Sequence, residues 1–167
     1  MPLIGGPSVY SGARTRRAMR ICLAASAGGH VSQLARLESC WKGWDCFFVT
    51  TSRLVERQLA RFGRVYVVEE SNRQHPIRVL RTLISCVKVV FLERPAVVIS
   101  TGAAVGCLMA LLGKLVGTRI IWIDSIANME RLSLSGRLVR PFADLILTQW
   151  PEVAQQYKSV EYVGHIL

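Results

Sequence analysis

The sequence predicts an α/β fold: a Rossmann-like doubly wound parallel sheet of about seven strands. Three observations carry that prediction. Short, nearly continuous apolar runs rich in Val, Ile, Leu and Phe recur along the chain, the pattern of strands buried on both faces. Helical stretches alternate with those runs from residue 20 onward. The 167 residues are 51% apolar and 19% charged, near the prior for one domain and able to bury a core.

Taken in chain order, residues 1–18 are rich in Gly, Ser and Arg and lack periodicity, so they read as a disordered basic tail. Met19 offers an alternative start to the chain. Residues 19–167 read as one domain. Strands are predicted at 20–25, 45–50, 64–68, 96–100, 119–124, 143–148 and 160–163. Helices are predicted at 30–41, 53–62, 76–93, 104–116, 133–141 and 151–157. Arg53, Arg57, Arg61 and Arg64 space at helical intervals and read as a solvated face. In the helix at 76–93, Arg78, Arg81, Ser85 and Lys88 form one narrow polar stripe, and apolar residues cover the rest. Packing on a sheet needs only one apolar side. Either a neighbour buries this helix, or it dips into a bilayer interface while its cations reach phosphates. Pro151 and Glu152 mark a helix start. Trp150 before them reads as core or as an anchor for a partner.

The net charge is +10 and most of the cations are Arg. Such a surface attracts phosphates. With a mean hydropathy of +0.32, it reads as peripheral to an anionic membrane more than freely soluble. No apolar run is long enough to span a bilayer, and no secretory signal follows the early Arg pair, so a cytoplasmic location is expected. Five Cys without a C-x-x-C pair read as buried apolar residues in a reducing compartment. His30, His75 and His165 lack metal spacing, and no metal site is expected. Aromatic residues do not interleave with the Arg stripe, which disfavours nucleic acid.

In a doubly wound sheet, ligands bind beyond the carboxyl ends of the strands. After the first strand come Ser26, Gly28, Gly29 and His30, where the backbone turns tightly into a helix N-terminus that suits an anion. After the fourth come Ser100, Thr101, Gly102 and Ala103, of the same design. After the fifth come Asp124 and Ser125; the acid suits a general base, a sugar hydroxyl or a plain turn. A nicotinamide fingerprint, a P-loop, a D-x-D and a G-x-S-x-G elbow are all absent from the sequence.

These loops, in this order, resemble the asparagine-linked glycosylation protein 14 family and the bacterial PssD type, the acceptor-side subunits of two-component GT-B glycosyltransferases. The carrying segments are Ser26 to His30 with Gln33 and Leu34, Val98 to Ala103, and Asp124-Ser125. The most specific is the stretch from Arg131 to Leu138, then Pro141 to Asp144 and Leu147 to Glu152, with Tyr162 to Ile166 at the end. MurG, a lipid-linked peptidoglycan GlcNAc transferase, is the single-chain relative of these split enzymes. The resemblance implies the N-terminal half of a GT-B fold, with the UDP-sugar donor on a PssE-type partner chain and no cofactor or metal on this one. It implies an acceptor of polyprenyl-diphosphate-linked saccharide, in exopolysaccharide or capsule synthesis at the cytoplasmic face of the inner membrane. One domain without room for a donor half agrees with that. The catalytic candidates are His30 and Asp124, with His30 preferred because the bacterial branch carries Glu where this chain has Asp124. Acceptor binding falls to Ser26, Gly28, Gly29, Ser100, Thr101, Gly102, Ala103 and Ser125. The partner interface falls to Trp150, Tyr162 and Gly164. The competing reading is a non-catalytic anchor or activator of a partner transferase.

Overall fold

A computed structural model describes residues 19–70 and 76–166. The strands are β1 (Arg20–Ala24), β2 (Asp45–Thr50), β3 (Arg64–Val67), β4 (Val97–Ser100), β5 (Arg119–Ile123), β6 (Leu145–Thr148) and β7 (Glu161–Tyr162). The helices are α1 (Gly29–Arg36), α2 (Glu38–Trp41), α3 (Arg53–Leu59), α4 (Pro76–Glu93), α5 (Ala103–Leu115), α6 (Leu134–Val139) and α7 (Pro151–Gln156). All seven strands pair in parallel in the order β3-β2-β1-β4-β5-β6-β7. The expected fold class is the observed one. The tail at 1–18 and His75 lie outside the described residues.

Side chains alternate between two cores, because successive residues of a strand point to opposite faces. Cys22, Ala24, Val98, Ile120 and Trp122 share one face with residues of α4, α5, α6 and α7. Ile21, Leu23 and Phe48 share the other with Trp41 of α2 and Leu59 of α3. Cys22, Cys46, Cys86 and Cys107 are buried and Cys40 is exposed. Burial pushes the Cys86 thiol up to about 12 and the Cys46 thiol to about 11, so neither is a ready nucleophile.

Two local expectations change. The single helix predicted at 30–41 is broken at Leu37, whose φ of −87° and ψ of 17° leave the helical region. The buried Trp41 fixes the break: its indole N–H donates to the carbonyl of Leu34 at 3.2 Å. Arg64 is not on the helix with Arg53 and Arg57 but opens β3. There it joins an ionic network at the amino edge of the sheet. Arg20 donates to Asp45 at 2.8 Å and to Glu93 at 3.0 Å. Arg64 reaches the same two acids at 3.2 Å each. The Tyr66 hydroxyl also donates to Glu93. Glu93 is only 3% exposed, and these partners satisfy its charge.

The strand order reverses between β1 and β4. The loops after these strands therefore diverge into a crevice at the carboxyl edge.

Candidate functional site

A cleft of about 860 Å³ lies at that edge. Its walls come from His30, the first turn of α4, the N-terminus of α5, the loop after β5 and the start of α6. His30 reaches across the crevice. Its Nδ1 lies 2.8 Å from the Thr101 carbonyl, and the Thr101 hydroxyl donates back to the His30 carbonyl at 2.7 Å. A carbonyl oxygen only accepts, so Nδ1 carries the proton, and the neutral tautomer that fits this contact has its lone pair on Nε2. The loops after β1 and β4 are thus tied by two reciprocal bonds.

The turn after β4 is built for this contact. Gly102 has a φ of 131°, and a Cβ there would sit 2.5 Å from His30 Cε1. Only glycine allows the ring to lie against the backbone. Ala103 follows with a φ of 67°, the left-handed region, which is strained for a residue with a Cβ. Ser100, fully buried, braces the turn by accepting from the Gly102 N–H at 3.1 Å. No side chain caps α5, so the first N–H groups of a 13-residue helix are open to an anion beside Ala103 and Ala104.

Asp124 has a different environment from the one expected. It is 1% exposed. Its carboxylate accepts from the Trp122 indole at 3.1 Å, the Ser133 N–H at 2.7 Å and the Ser133 hydroxyl at 2.5 Å. Ser133 in turn caps α6 by accepting from the Gly136 N–H at 2.9 Å. A Cβ at position 136 would meet the Asp124 Oδ1 at 2.8 Å, which is why glycine stands there. A carboxylate so occupied is poorly placed to take a proton from a bound hydroxyl. Asp124 lines the cleft, and its hydrogen bonds hold the β5–α6 loop and the start of α6 in place.

The remaining candidates divide. Gly102, Ala103 and Ser125 line the cleft with His30. Ser100 and Thr101 are fully buried beneath it and shape the turn. Ser26, Gly28 and Gly29 sit beside the cleft, not on its wall; Gly28, at a φ of 85°, makes the turn that starts α1. Trp150, expected as core or as a partner anchor, braces the fold from within. It is half-buried, its indole N–H donates to the Ile126 carbonyl at 2.7 Å, and its ring packs edge-on to His165. Tyr162 is 51% exposed and Gly164 has a φ of 79° at the chain's far edge. Sequence reasoning missed Arg78, Glu70, Asn128 and Ser133 as cleft residues. Only Ser133 had a signal: a Ser three residues before Gly136 at a helix start.

Away from the cleft, α4 presents Ile77, Leu80, Ile84 and Phe91 to solvent; the α6 region presents Leu134 and Leu138 on the cleft rim and Phe142 beyond it. Both helices pack on α5, between them. Among the described residues no helix is long and apolar enough to cross a membrane, and no group of three or more His, Cys, Asp or Glu is placed to hold a metal.

A family model described as oligosaccharide biosynthesis protein Alg14 like matches residues 46–166. The UDP-N-acetylglucosamine transferase subunit alg14 of Schizosaccharomyces pombe is 31% identical over 118 residues, covering 66% of this chain and 56% of that protein. The subunit ALG14 of Yarrowia lipolytica is 38% identical over 101 residues, covering 55% of this chain and 47% of that one. The chain thus spans about half the length of the curated relatives it matches. Among solved structures, MurG of Acinetobacter baumannii superposes with a TM-score of 0.70 at 15% identity, over 87% of this chain and 45% of that one. A UDP-N-acetylglucosamine 2-epimerase from Rickettsia bellii gives 0.65 at 12% identity, over 90% and 46%. At these identities the likeness is one of fold.

Proposed function

The chain belongs to the Alg14 family, and on that premise we propose that it is the acceptor-binding subunit of a two-chain inverting glycosyltransferase. The donor is read as UDP-N-acetylglucosamine, from the names of the relatives, and sits on a partner chain. The acceptor is a saccharide on a polyprenyl diphosphate. The family's description supports oligosaccharide synthesis; exopolysaccharide or capsule synthesis at the inner membrane is a narrower form of the same reading. The exposed apolar residues of α4 and α6, beside Arg81, Lys88 and Arg137, suit a peripheral contact with an anionic bilayer.

The locked tautomer of His30 carries the catalytic part of this reading. With Nδ1–H donated to Thr101, Nε2 takes the proton from the acceptor hydroxyl as its oxygen attacks the anomeric carbon of the sugar nucleotide. The C–O bond to the leaving diphosphate breaks in the same displacement. The open N-terminus of α5 meets the acceptor's own diphosphate. Asp124 keeps the facing wall in position. The test is sugar transfer from UDP-N-acetylglucosamine to a polyprenyl-diphosphate acceptor in membranes, with this chain, its partner chain, and both. Transfer needing both, with His30→Ala lowering kcat by roughly 10²- to 10⁴-fold, is the expected result. Near-normal turnover by His30→Ala, or transfer by the partner alone, would leave the chain an anchor or activator.

A further inference from the structure

We infer that Arg78 is the residue that binds the phosphate of the acceptor; this rests on the acceptor-binding reading of the cleft. The chain carries 21 Lys and Arg residues, yet among the described residues Arg78 is the only one of them on the cleft wall. Two acids, Glu70 and Asp124, line the same space. An anionic head group entering there meets no other Lys or Arg of the described wall to offset its charge. Arg78 sits in the first turn of α4, and the open N-terminus of α5 lies on the same cleft. Its backbone is held by the fully buried Thr82, whose hydroxyl lies 2.9 Å from the Arg78 carbonyl and 2.8 Å from the Glu69 carbonyl and shares its one proton between them. Its side chain is held loosely, 57% exposed and 3.6 Å from the Glu69 carboxylate. That distance is too long for a direct hydrogen bond. The guanidinium can therefore leave Glu69 for a phosphate without moving the helix, and its planar fork suits two phosphate oxygens at once.

Arg81 supplies an internal control. It is one turn further along the same polar stripe, 3.9 Å from the same Glu69 and 70% exposed, but it is not on the cleft wall. The experiment measures binding of the full chain to farnesyl diphosphate in detergent micelles, and separately to vesicles of anionic phospholipid. Arg78→Ala should weaken farnesyl diphosphate binding about 10- to 100-fold. Arg78→Lys should recover part of it, and Arg81→Ala should change it less than about twofold. Vesicle binding should fall equally for both alanine variants. In the transfer assay, Arg78→Ala should raise the acceptor KM with the donor KM unchanged. Equal losses of farnesyl diphosphate binding for Arg78→Ala and Arg81→Ala, or no loss for either, would overturn the assignment while leaving the cleft as the acceptor site. Failure of the unsubstituted chain to bind farnesyl diphosphate would overturn the cleft reading and Arg78 with it. Both side chains are largely exposed, so unchanged melting temperatures check that the variants fold.

Discussion

The two edges of the sheet treat charge in opposite ways. At the amino edge, Arg20, Arg64, Asp45 and Glu93 satisfy one another around a nearly buried carboxylate. At the carboxyl edge, the turn after β4 is neutral, α5 is uncapped, and Ala103 is held in a strained conformation. Closed polar networks specify and stabilise a fold, whereas open donors and strained backbone mark places where a ligand completes the structure. The difference teaches where to look for binding in a chain whose net charge is +10.

The sharpest way to break this comparison is Gly102→Ala. The added Cβ meets the His30 ring at 2.5 Å and the φ of 131° becomes unfavourable. Displacing His30 by about 1 Å should lower transfer roughly 100-fold, at a stability cost of about 1–3 kcal/mol. Normal kcat in that variant would mean the ring position does not matter.

At the other edge, Glu93→Ala should do the reverse. Losing the buried acid leaves Arg20 and Arg64 paired with Asp45 alone and the Tyr66 hydroxyl without its acceptor, costing about 1–3 kcal/mol in a denaturant melt, while kcat and KM of the folded protein stay unchanged. A kinetic defect there would tie the two edges together.

Asp124→Ala sharpens the assignment of that residue. The Trp122 and Ser133 N–H groups lose their acceptor, for about 2 kcal/mol. If Asp124 positions and does not titrate in catalysis, Asp124→Asn keeps the wild-type pH profile of kcat. Loss of an acidic limb from that profile would restore it as a base.

The smallest effect belongs to Asp144, at the amino edge. A hydrogen bond from Lys114, then one from the Ile120 N–H, hold its carboxyl below the ordinary 3.8. A depressed folded pKa adds stability above the unfolded value and loses it as pH falls through the folded one. Asp144→Asn should therefore lower the melting temperature slightly above about pH 5, with the difference vanishing below about pH 3. A difference that persists in acid would mean packing, not charge, is responsible.

Much of the fold was legible because each strand is a short apolar run and the helix at 76–93 has a single polar stripe. The loops of the crevice were legible from the rule that ligands bind beyond the carboxyl ends of the strands; that β1 and β4 are neighbours came from the structure. What stayed hidden depends on long-range docking. Asp124 reads as an open acid until Ser133, nine residues on, is folded back against it. Trp150 reads equally as core or as a partner anchor until its indole finds the Ile126 carbonyl, 24 residues earlier. Arg78 was one cation in a stripe; which member faces the cleft is set by how α4 seats on the sheet.

The pairing of His30 with Thr101 bridges 71 residues of chain. It forms only once α4 has returned the chain to lay β4 beside β1. Loop closure over such a distance is slow relative to local structure. Neither half of the sheet contains the site by itself, so the His30 tautomer is a kinetic marker of the crossing. Partly folded chains that hold β1 to β3 alone carry the histidine but not the carbonyl that fixes its proton.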